Sequence, residues 1–152
     1  MKFLKVEQIM SHPVLTIEES KNVGEAASKM LENKIGCLPV VSSNSELVGM
    51  VSERLFMPKT MNIPFMRGET LEVLGHALGT TERLTELAES VKDLAISGVM
   101  RKNIPEISPK AKVSEAAKLM LDNSLDHLPV LESGELVGVI SRHDLLKVFS
   151  DI

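Results

Sequence analysis

The side chains of this sequence that could do chemistry are few. They are His12, His76, His127 and His143, the single Cys37, and two turns reading Ser141-Arg142-His143-Asp144 and Ser52-Glu53-Arg54-Leu55. No two histidines have the spacing that sets a pair of imidazoles on one helix face to hold a metal. Exposed or pocket-lining roles are expected for them. Cys37 could act as a nucleophile only beside a base that is itself oriented by a third group, and none is indicated. Next to Leu38-Pro39-Val40, a small cysteine reads as core. Ser141 and Asp144 stand three apart at the start of the last apolar segment, where a hydroxyl and a carboxylate cap a helix well. In the earlier turn Leu55 occupies the carboxylate's place. No constellation for general acid–base work stands out, and the nine methionines fall mostly on helical stripes. Catalysis is not expected.

Bulk properties narrow the partners. A chain of 152 residues, 43% hydrophobic and 25% charged, can fill a core without staples. Four phenylalanines with no tyrosine or tryptophan leave few platforms on which bases could stack. A net charge of −4 repels phosphate backbones, so nucleic acid is set aside. One cysteine excludes an internal disulfide. The longest apolar runs, of about five residues, fall far short of the ~20 that a transmembrane helix needs. Met1-Lys2-Phe3-Leu4-Lys5 is interrupted at Glu7, so no signal peptide is read. A soluble cytoplasmic protein without a membrane contact is the expectation.

The elements that must position these residues emerge from an internal repeat. At an offset of 90, Met10 lies on Met100, Ile17 on Ile107, Val23 on Val113, Glu25 on Glu115, Ala26 on Ala116, Met30 on Met120 and Pro39 on Pro129. After a one-residue deletion the match resumes at 89, with Glu46 on Glu135, Gly49 on Gly138 and Ser52 on Ser141. Each copy opens with an extended segment, Val14 to Ile17 or Ile104 to Ile107. Next comes a helix whose stripe is Val23, Ala26, Ala27, Met30 and Leu31, or the equivalent Val113, Ala116, Ala117, Met120 and Leu121. Asn22, with Glu25 three residues on, reads as an N-cap. Strand pairs follow, Leu38–Val41 with Leu47–Val51 and Leu128–Leu131 with Leu136–Ile140, the second joined by Ser133-Gly134. A last helix closes each copy, Asp144 to Phe149 in the second, cut short at Pro58 in the first. The fold class is α/β (α+β), two β-α-β-β-α repeats about a pseudo-two-fold axis. Residues 1–58 form the first repeat and 96–152 the second. Residues 59–95 form a linker, broken by Pro64, Gly68, Gly75 and Gly79 and ending in a connecting helix over Glu82 to Leu94.

The run His127-Leu128-Pro129-Val130, a turn, then Leu136-Val137-Gly138-Val139-Ile140-Ser141-Arg142-His143-Asp144 resembles a cystathionine-β-synthase (CBS) domain. Leu38-Pro39-Val40-Val41 and Leu47-Val48-Gly49-Met50-Val51-Ser52 resemble it again, so the chain resembles a stand-alone CBS pair, or Bateman module. The resemblance implies a two-copy disc that forms a homodimer, with clefts between the copies that take adenosine compounds. It also implies that Ser141 and Asp144 grip ribose and phosphate, a role their chemistry supports because a carboxylate accepts both ribose hydroxyls. Arg142 and His127 would reach phosphate oxygens. The base would lie on His12, Pro13, Val14, Leu15, Thr16, Ile35, Gly36, Cys37 and Leu38. The other cleft, with Leu55 in place of a carboxylate and Asp126 nearby, is expected to bind weakly. The implied function is regulatory and non-catalytic: sensing AMP, ADP, ATP or S-adenosylmethionine for a regulated protein, with no cofactor required. The alternative is a structural, dimerising module with empty clefts.

Overall fold

In a computed structural model of the chain, the residues described are 3–57, 59–61, 70–74, 76–78 and 84–150. The chain divides into two compact units. One joins the residues up to Thr16 with those from Asn103 onward, and the other runs Ile17–Lys102. Each unit therefore combines one repeat's helix and hairpin with the segment that opens the other repeat.

In the Ile17–Lys102 unit, β1 (Ile17–Glu18) runs parallel to β2 (Cys37–Val41), which pairs antiparallel with β3 (Leu47–Ser52). Between β1 and β2 lies α1 (Val23–Glu32). Its start is capped as its sequence suggests: Glu25 N–H donates to Asn22 Oδ1 at 2.8 Å, and Asn22 N–H donates to Glu25 Oε2 at 2.9 Å. The apolar side of α1 closes over the sheet, and Ile17, Ala26, Met30, Leu38, Val40, Val51 and Ile96 form one buried cluster. The extended opening stretch is shorter than its sequence suggests, since only Ile17 and Glu18 pair as a strand.

The other unit repeats the plan with α3 (Val113–Asp122), β7 (His127–Glu132) and β8 (Glu135–Ser141). The β7–β8 hairpin turns on two residues, Ser133 at φ 51° and Gly134 at φ 80°. Two positive φ values in a two-residue loop are the type I′ geometry that follows the strands' own twist. Here the opening segment of the chain serves as a strap. Val6 N–H donates to Ala111 O at 2.9 Å, and Ser11 and Val139 exchange backbone bonds of 2.9 and 3.1 Å. Val6 and Ile9 enter the cluster of Ile107, Val113, Ala116, Met120, Leu128, Val130 and Ile140. The strap fits because residue 138 is glycine: a Cβ there would lie 2.5 Å from Met10 Sδ and 3.2 Å from Ser11 O. Gly49, its repeat equivalent, meets Met100 and Arg101 in the same way in the Ile17–Lys102 unit.

Three expectations need correction. Leu31 and Leu121 leave the buried stripes and are 79% and 80% exposed, because each follows the last inward position, Met30 or Met120. The closing helices are single 3₁₀ turns, Glu53–Phe56 and Asp144–Val148, too short to nucleate an α-helix. Pro58, taken as the breaker, lies outside the described residues. The segment 59–95 carries its helix as α2 (Leu84–Val91), which ends before the expected Leu94, while Glu82 and Arg83 lie outside the described residues. It also carries three strands, β4 (Lys59–Met61), β5 (Thr70–Val73) and β6 (His76–Leu78), in one antiparallel sheet. Runs of three or four residues are too short for alternation to be legible. Pro64, Gly68, Gly75 and Gly79 lie outside the described residues.

Candidate functional site

β8 ends at Ser141, and the chain turns at once into the 3₁₀ stretch that begins with Asp144. Asp144 is only 3% exposed, and a buried carboxylate persists only where its oxygens are bonded. Both are. Oδ2 accepts from the Ser141 backbone N–H at 2.9 Å and from Ser141 Oγ at 3.0 Å. Oδ1 accepts from Lys147 Nζ at 3.0 Å, and Ser11 Oγ reaches the two oxygens at 3.3 and 3.5 Å. In return the Asp144 N–H donates to Ser141 Oγ at 3.1 Å. Lys147 also donates to the carbonyl of Ile9 at 2.8 Å. Serine and aspartate thus cap the turn reciprocally, and the same carboxylate fastens the strap to the end of β8.

The expected site residues divide between the two units. His12, Pro13, Val14 and Thr16 follow Ser11 on the strap, in the unit of Asp144. His12, Pro13 and Leu15 are exposed, while Val14 and Thr16 are half-buried. The cis peptide bond joins His12 and Pro13. His127 lies on β7 opposite Ser141. The Arg142 guanidinium faces Asp126 at 3.5 Å and its amide donates to Asp126 O at 2.8 Å. Asp126, half-buried, thus has a counter-charge, although the guanidinium is largely exposed and solvent weakens the pair.

Ile35, Gly36, Cys37 and Leu38 belong to the other unit. There the carbonyl of Gly36 accepts from Glu53 N–H at 2.9 Å, and Leu38 is wholly buried. Cys37 is buried as well, and desolvation pushes its thiol far above the ordinary range. That environment keeps the sulfur protonated and inert.

Two contacts of Asp144 were not foreseen. Ser11 is 133 residues away in the chain, and no local signal links such positions. Lys147 sits three residues on, the spacing of helical neighbours, so its pairing was open to a sequence argument. By the repeat alignment Ser11 corresponds to Arg101 in the second repeat, and Asp144 and Lys147 correspond to Leu55 and Pro58 in the first. Leu55 packs against the Leu38–Val40 core. An apolar contact there replaces the polar hub.

The model of the CBS domain matches residues 6–57 and 91–151. The chain belongs to the CBS domain family. A CBS domain-containing protein of Dictyostelium discoideum is 31% identical over 147 residues, spanning 96% of this chain and 90% of that one. An uncharacterized protein of Methanocaldococcus jannaschii, MJ1404, is 29% identical across all of this CBS chain, which spans only 33% of its length. Among solved structures, the CBS domain of a CBS domain-containing membrane protein from Sphaerobacter thermophilus superposes with a TM-score of 0.68 at 26% identity, covering 95% of this chain and 87% of that one. The CBS domain pair of protein MJ0100, crystallised with 5′-methylthioadenosine and S-adenosyl-L-methionine, gives 0.70 at 19% identity, covering 97% of each chain. The chain is thus a tandem CBS pair of mixed α and β structure, a regulatory type of module. Among the described residues no helix is long and apolar enough to cross a membrane.

Proposed function

We propose that this CBS pair is a non-catalytic sensor of an adenosine-containing ligand, an adenine nucleotide or S-adenosylmethionine, held at the Ser141–Asp144 turn. The observation that carries this reading is the buried Asp144 carboxylate, set between a hydroxyl and a backbone amide at the end of β8. Ionised oxygens are the acceptors that a ribose diol seeks. The ligands of the MJ0100 domain pair are adenosine compounds, which supports the class. Binding would act on a protein that this module regulates, through the strap that Asp144 fastens.

A second reading, a structural module whose turn only caps, is favoured by the completeness of Asp144's internal bonds. Both readings accommodate a homodimer, because Leu31 on α1 and Leu121 on α3 each present an unburied leucine. A thermal-shift series with AMP, ADP, ATP and S-adenosylmethionine separates the two. A ligand at a hundredfold its Kd stabilises the folded state by about 2.7 kcal/mol, several degrees for a chain of this size. No shift with any of the four at millimolar concentration refutes the sensor.

A further inference from the structure

A carboxylate offers about four acceptor directions, and the chain itself uses them. Oδ2 takes the Ser141 amide and hydroxyl, while Oδ1 takes Lys147 and the Ser11 hydroxyl. A ribose diol brings two donors, so it reaches Asp144 only by displacing two of those present. The Ser141 amide is fixed by β8 and stays. Ser141 Oγ also stays, since it accepts the Asp144 N–H. Ser11 Oγ, at 3.3 and 3.5 Å, makes the longest contacts and leaves first. Lys147 is the other that can leave. Its side chain is 40% exposed and keeps a second anchor, the carbonyl of Ile9 at 2.8 Å.

From this count we infer that Lys147 sets the charge of the ligand. Resting on the sensor reading above, the exchange leaves an ammonium beside the bound ribose without its carboxylate partner. A phosphate on the ligand restores a counter-ion to it. A neutral nucleoside supplies none, and S-adenosylmethionine, whose sulfonium and ammonium outnumber its one carboxylate, brings a net positive charge. The Asp144 site therefore selects anionic adenosine nucleotides, and Lys147 is its specificity-determining residue. The first repeat agrees in that the lysine and the carboxylate are absent together, as Pro58 and Leu55.

The test is calorimetric titration of the full chain with adenosine, AMP and S-adenosylmethionine, for the native protein, Lys147→Met and Lys147→Arg. The native chain should bind AMP at least about tenfold more tightly than adenosine, the scale of one charge-assisted contact. Lys147→Met should shrink that ratio to about threefold or less, and Lys147→Arg should restore it. An AMP-to-adenosine ratio that is the same in native and Met proteins overturns the inference and leaves the sensor reading standing. So does a native preference for adenosine or S-adenosylmethionine over AMP. Binding of none of the three overturns both. If the Met variant does not fold, raising salt from about 50 to 500 mM decides. The native ratio must fall as the phosphate–ammonium contact is screened, and a constant ratio overturns the inference.

Discussion

Replacing Asp144 by alanine tests whether the carboxylate holds the fold as well as any ligand. The buried hub makes it a structural group as well as a candidate ligand-binding one. Alanine removes the acceptor for the Ser141 amide and hydroxyl, for Lys147 and for Ser11. Hydrogen bonds to a charged group contribute about 1.5–3 kcal/mol each, but the losses here are unequal. Ser11 is exposed and Lys147 is 40% exposed, so both recover water. The Ser141 pair, lying against a 3%-exposed carboxylate, does not. The net cost should be about 3 kcal/mol. For a chain of this size each kcal/mol shifts Tm by about 2–4 °C, which gives a drop of roughly 6–12 °C. Circular dichroism melts in nucleotide-free buffer read this directly. Asp144→Asn keeps one acceptor oxygen and should lose about half as much. A fall of less than about 2 °C for the alanine variant would show that the turn does not depend on this carboxylate, and the hub would have no structural role.

Other perturbations address other links. Gly138→Ala places a methyl against Met10 Sδ and the Ser11 carbonyl, so the strap must shift; a loss of about 1–3 kcal/mol is expected in urea unfolding. Cys37 should resist Ellman's reagent in the native chain and react on unfolding, since burial both shields the thiol and raises its pKa; fast native labelling would contradict this. For the homodimer proposed above, native light scattering should give twice the chain mass and the double substitution Leu31→Ser with Leu121→Ser the monomer mass, with little change in Tm, because both side chains are about four-fifths exposed within the chain; a monomeric native chain would refute the dimer.

The duplication, the helix stripes, the hairpins and the Asn22 cap were legible in the sequence because each rests on near neighbours. Helical periodicity, a capping residue with its glutamate and a two-residue turn are local contracts between side chain and backbone. The Ser141–Asp144 turn belongs to the same class, and its capping could be read from spacing alone. Local rules could not tell which segment closes which core. The strap residues Val6 and Ile9 complete the cluster around Leu128, while Ile96 completes the one around Leu38. That exchange depends on Gly138 and Gly49 admitting a methionine and a backbone from more than 50 residues away, as loop-closure entropy, growing only slowly with length, allows. The same long-range docking brings Ser11 to Asp144. A motif of two residues thereby becomes a saturated carboxylate: Ser141 and Lys147 are near neighbours in the chain, and only the tertiary structure supplied the last donor, Ser11.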